Sequence, residues 1–207
     1  LISSIASFLT IVLPFSFFLF FGKRKLSDTV LVEKNGVLNS VLLVFAGLAV
    51  SVLMNIPANL ISQLLEGAGL NGDANTADLL AMTPVQALTM FVSVVLVAPV
   101  TEEFAFRSVT TAVMRRWGDW PAVIFSALIF GMAHYSIQSL PVVLMAGFVM
   151  ALLYVRTRNI WVNIFVHMLN NLLATLPIAL EGLVGADAAN IASNLLTYIV
   201  YGLGLIA

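Results

Sequence analysis

The 207 residues are 61% hydrophobic and only 9% charged, with a mean hydropathy of +1.06, whereas a soluble domain carries about 25% charged residues; this excludes an ordinary water-soluble fold and points to an integral membrane protein. Nine Lys and Arg against ten Asp and Glu leave a net charge of -1, so there is no nucleic-acid-binding footprint and no acidic tail. The absence of cysteine removes disulfides, thiolate metal ligands and a cysteine nucleophile.

A hydrocarbon core about 30 Å thick needs about 20 apolar residues per helical span. Seven apolar stretches qualify, near 1–22, 37–65, 84–115, 121–138, 139–156, 159–180 and 188–207. The first precedes the basic cluster Lys23-Arg24-Lys25, the reverse of the order in a secretory signal, and so reads as a spanning helix. The chain opens on Leu1 rather than Met and closes inside an apolar run, which reads as a trimmed piece of a longer protein. Loops are short apart from the stretch around 66–84. At 138–141 two segments meet with almost no loop, leaving either two full spans or one broken passage. The expected fold is all-α: a polytopic membrane helix bundle of about seven transmembrane segments, forming a single integral-membrane domain over 1–207.

Cytoplasmic loops retain positive charge. Lys23, Arg24, Lys25 and Lys34 follow the first segment, Arg115 and Arg116 the third, and Arg156 and Arg158 the fifth. The alternate loops hold Glu66, Asp73, Asp78, Glu181 and Asp187 without Lys or Arg. Loops 22–36, 115–120 and 156–159 are therefore expected to be cytoplasmic, with the N-terminus outside. Trp117, Trp120 and Trp161 fall on the basic side, at the headgroup level that indole rings prefer.

The remaining basic residue, Arg107, lies inside the third segment with Glu102 and Glu103; His134 lies in the fourth, and His167, Asn170 and Asn171 in the sixth. At a rise of ~1.5 Å per residue, Glu102 is about 20 Å of helix from Arg115, His134 about 20 Å from Pro121, and His167 and Asn171 about 12 and 18 Å beyond Asn159. Polar groups from three helices thus share one depth, where facing lipid would cost several kcal/mol each. Glu103 and Arg107, four apart, form a structural ion pair on one helix face. Glu102 points about 100° away from Glu103 and is free to face the histidines, which makes it the carboxylate for chemistry. His167 and Asn171 share a face and together suit two hydrogen bonds to a developing oxyanion. Asn163, Asn170 and Tyr135 read equally well as hydrogen-bonding glue between helices.

Three motifs now stand in order on successive segments: Glu-Glu-x-x-x-Arg in EEFAFR (Glu102 to Arg107), Phe-x-x-x-His in FGMAH (Phe130 to His134) and His-x-x-x-Asn in HMLNN (His167 to Asn171). The set resembles the CPBP (Abi) intramembrane proteases, the family of CAAX prenyl endopeptidase type 2 and of bacteriocin processing, over a catalytic core of about 84–175. The resemblance implies hydrolysis of a peptide bond in a membrane-associated protein or peptide, whether prenylated or carrying a leader. Glu102 and His134 would activate water, His167 and Asn171 would stabilise the oxyanion, Glu103 and Arg107 would be structural, and Phe130 would pack at the site's edge. The expected partners are that substrate and the lipid bilayer, not nucleic acid.

Glu102, His134 and His167 also make up the ligand set of many catalytic zinc sites. The helical H-E-x-x-H signature is absent, and Asn171 beside His167 suits an oxyanion better than zinc, so a metal-free mechanism is favoured over a zinc one. Two rival readings use the same residues: a transporter or proton relay built on the buried Glu, His and Arg, and a non-catalytic immunity or scaffold protein. A transporter would carry internal repeats or paired discontinuous helices, and no such repeat is visible in the sequence.

Overall fold

A computed structural model describes residues 8–23, 25–70, 84–134 and 136–207. Among the described residues seven apolar helices follow one another. Helix α1 covers residues 8–21, α2 Val37–Gly67, α3 residues 84–117, α4 Asp119–Met132, α5 Leu140–Thr157, α6 Ile160–Val184 and α7 Ala186–Ile206. Among the described residues the extended backbone pairing is a single antiparallel bridge, Val32 to Asn159. The polytopic all-helical bundle expected from composition is what the chain forms.

Among the described residues five stretches are long and apolar enough to cross a membrane: Val37–Gly67, Leu88–Trp117, Leu140–Thr157, Ile160–Ile178 and Asp187–Ile206. Leu9–Phe21 and Asp119–Met132 are shorter. The fourth expected span, 121–138, is corrected accordingly. Helix α4 has 14 residues, about 21 Å of rise against a core of about 30 Å. It stops at Met132, and turns at Ala133–His134 and Ile137–Ser139 lead into α5. The doubt over 121–156 thus resolves into two antiparallel helices of unequal length that pack on each other. The acidic positions Asp73 and Asp78, with Arg24 and Tyr135, lie outside the described residues.

Helix α2 packs against α5, α6 and α7. The main core joins Val44 of α2, Phe106 of α3, Phe130 of α4, Met150 of α5, and Val162 and Val166 of α6. Gly147 of α5 permits a close approach in this region: a Cβ there would stand 2.8 Å from Cδ1 of Phe130.

Two of the three basic loops lie against each other at one end of the bundle. Tyr154 Oη donates to Thr29 O at 3.0 Å and accepts from Leu31 N–H at 3.1 Å. Ile160 N–H donates to Leu31 O, and Glu33 N–H to Arg158 O, each at 2.9 Å. The Arg158 and Glu33 side chains meet in an ion pair at 2.5 Å. At the opposite end, Ser62 Oγ of α2 donates to Gln138 O in the α4–α5 turn at 2.9 Å.

Candidate active site

The site is built on an irregular α3. Its backbone runs as α-helix over Pro84–Phe91, widens to π-helix over Val92–Val97, tightens over Ala98–Glu102 and widens again over Glu103–Thr110. Such π stretches recur at functional sites. A proline accounts for the first change of register. Ala98 N–H donates to Ser93 O, five residues back; the next donor in that register would serve Val94 O, but residue 99 is Pro, which has no N–H. The stranded carbonyl is met from α6: Asn171 Nδ2 donates to Val94 O at 2.8 Å. In a bilayer, such repair by a neighbouring helix is what makes proline tolerable in a span.

Where the tightened stretch meets the second widened one, Glu102 and Glu103 both approach one imidazole. His167 Nδ1 is 2.8 Å from Glu103 Oε1, and its Nε2 is 3.8 Å from Glu102 Oε2. A carboxylate only accepts, so the neutral ring carries its proton on Nδ1 and turns the Nε2 lone pair toward Glu102. The gap of 3.8 Å is wider than a hydrogen bond and suits a bridging water. Glu103 is fully buried, whereas the Glu102 side chain is 15% exposed.

The Glu103–Arg107 pair forms as expected, with Nη1 3.3 Å from Oε1 and both side chains fully buried. The arginine also donates through Nη2 to Gly147 O at 3.3 Å and sits 4.2 Å over the Phe130 ring. Glu103 therefore does more than neutralise Arg107: the same carboxylate holds His167 and accepts from Asn163 Nδ2 at 3.3 Å. Phe130 is at the centre of the cluster rather than at its edge. It is 2% exposed, with ring centroids 4.8 Å from His134 and 5.7 Å from His167. The cation of Arg107 and both imidazoles converge on this one ring.

His134 lies just past the end of α4, exposed in the turn, with Nδ1 2.9 Å from Phe130 O. A carbonyl accepts only, so this ring too has its proton on Nδ1 and presents Nε2 as a base. Asn171 is on the same helix as His167 and half-buried, and its amide donates across to Val94 O of α3. Sequence reasoning left Asn163 among the structural glue. Its signal was available: Asn163, His167 and Asn171 recur every four residues on one face of α6.

Zinc would require a convergent ligand set. Among the described residues no group of three His, Asp or Glu side chains is placed to hold a metal ion. His167 Nδ1 is held by Glu103 and His134 Nδ1 by a backbone carbonyl, which leaves both Nε2 atoms free. The expected trio Glu102, His134 and His167 does not form such a group here.

Residues 84–173 match the family described as Type II CAAX prenyl endopeptidase Rce1-like. The chain is also 31% identical over 140 residues to "Putative membrane peptidase YdiL" of Bacillus subtilis (strain 168), an alignment covering 67% of this chain and 57% of that protein. The chain thus spans less than two thirds of this relative's length. No solved structure matches the chain. All three motifs, from Glu102 to Asn171, fall inside the family match.

Proposed function

We propose that the chain, which over residues 84–173 matches the Type II CAAX prenyl endopeptidase Rce1-like family, is a CPBP-type intramembrane endopeptidase with Glu102 as the general base. The observation that carries this reading is the His167 imidazole between two carboxylates of unequal access: Glu103, sealed and bonded to Nδ1, and Glu102, open and a water's width from Nε2. A water beside Glu102 and His134 loses a proton to the carboxylate while its oxygen attacks the scissile carbonyl carbon. The carbonyl π electrons move onto oxygen, and that oxyanion accepts from the second N–H of Asn171, while His167, whose Nε2 carries no proton, accepts from the water and holds it beside Glu102. The proton then passes from Glu102 to the amide nitrogen, the C–N bond breaks, and a carboxylic acid and an amine leave. Positioned general bases and oxyanion donors each supply about 10²- to 10⁴-fold.

No step requires a metal, in keeping with a donor set that does not gather three ligands. The substrate is a membrane-associated peptide segment, because the carboxylates lie within a bundle whose helices are apolar on their outer faces. The orientation proposed is the one drawn from charge, with the basic loops cytoplasmic. The test is a comparison of host membranes carrying the wild type or Glu102→Ala: one uncleaved precursor accumulates in the variant. Cleavage of that precursor by purified wild type then survives chelation. Activity abolished by chelator and restored by zinc would overturn the metal-free mechanism, and unchanged processing by the variant would overturn the assignment of Glu102.

A further inference from the structure

We propose that Asn163 is a positioning residue for this site, holding Glu103 so that His167 keeps a single tautomer. The inference rests on the reading of His167 as a reacting group and adds the device that aims it. Asn163 is fully buried. Its Nδ2 donates to Met150 O at 2.6 Å and to Glu103 Oε2 at 3.3 Å. Arg107 Nη1 and His167 Nδ1 both address the other oxygen, Oε1. The carboxylate is thus gripped at both oxygens from three helices: α3 through Arg107, α6 through Asn163 and His167, and α5 through the Met150 carbonyl that anchors the amide.

Without Asn163, Oε2 loses its donor and the carboxylate can turn about its terminal torsion, which is broad and soft. The bond that fixes Nδ1–H then loosens, and the tautomer with the proton on Nε2 becomes accessible. Purely structural glue accounts for only part of the arrangement. A cross-link between α5 and α6 is complete with the Met150 bond, yet the amide also reaches Glu103 while its own Oδ1 is buried without a partner, a burden of about 1–3 kcal/mol that an apolar residue would avoid.

The chain has two histidines, so its imidazole nitrogen spectrum is small enough to read directly. Protein labelled with 15N-histidine is recorded as wild type, as Asn163→Ala and as Asn163→Ser, with His134→Asn used to assign the signals. The wild type gives His167 as one tautomer protonated at Nδ1. Asn163→Ala gives a mixture, and Asn163→Ser, which keeps a hydroxyl donor, lies between. In turnover of the accumulated precursor, kcat falls about 10- to 100-fold in Asn163→Ala, as for a displaced catalytic group, while KM stays within about twofold.

A wild-type His167 protonated at Nε2 overturns the proposal without recourse to any variant. So does an Asn163→Ala protein that loses stability through the orphaned Met150 carbonyl while its His167 signals and kcat stay at wild-type values. The nitrogen spectrum needs no substrate, so absence of peptidase activity would defeat the proposed function and leave the spectrum to decide on Asn163.

Discussion

Glu102 and Glu103 are adjacent in sequence and opposite in environment, one 15% exposed and the other fully buried. That contrast separates their roles. Glu102→Gln keeps size and removes the base, so the variant is expected to fold with wild-type thermal stability and to lose about 10²- to 10⁴-fold in turnover; full activity in the purified variant would contradict the role. Arg107→Ala strands a buried carboxylate, and breaking a buried pair by removing one partner costs about 3–5 kcal/mol. The expected outcome is poor yield and a lowered unfolding temperature. An Arg107→Ala protein of unchanged stability but without turnover would place the guanidinium in the chemistry. The pairing of Glu103 with Arg107 could be read from their spacing of four. That the same carboxylate also holds His167 could not, because no periodicity within α3 tells which helix will face it.

At the scale of the element, α3 departs furthest from what its sequence conveys. The apolar run marks a helix of nearly the right extent, and Glu102 and Glu103 diverge as neighbours on a helix must, yet their carboxylates address opposite nitrogens of one ring; the widening over Glu103–Thr110 is not visible in the sequence. The cue was Pro99, whose missing N–H forces some change of hydrogen bonding above it; which carbonyl it strands depends on a register that the sequence does not display. This repair gives Asn171 a task besides oxyanion stabilisation, and the two can be separated. Asn171→Ala is expected to destabilise the protein by about 1–3 kcal/mol, the cost of leaving Val94 O unpaired. Pro99→Ala returns a backbone N–H to that carbonyl, so the double variant is expected to recover stability in thermal unfolding. Turnover stays depressed about 10²- to 10³-fold in the double variant because the oxyanion donor is still missing. Recovery of turnover together with stability would reduce Asn171 to a helix repair.

Across the whole molecule, composition and loop charge carried the most legible information, because burying charge in lipid is costly enough to constrain every loop. The number and order of helices followed from it. The length of α4 was marked only by the polar Ser136, Gln138 and Ser139 beyond it, and the joining of loop 22–36 to loop 156–159 is made by backbone bonds between Leu31, Glu33, Arg158 and Ile160 that leave no mark in side-chain patterning. Those bonds put two basic loops at one end of the bundle, which is a condition of the proposed orientation and leaves its sense to experiment. These 207 residues contain no cysteine, so single cysteines introduced into them report without background from this sequence. Lys34→Cys and Arg116→Cys, both exposed at the basic end, are expected to resist a membrane-impermeant maleimide in intact cells and to react once the membrane is opened. Gln63→Cys, exposed near the far end of α2 beside the α4–α5 turn, is expected to react in intact cells. Labelling in the reverse sense would invert the molecule in the membrane and place the short α4–α5 turn, with His134 exposed in it, on the cytoplasmic side.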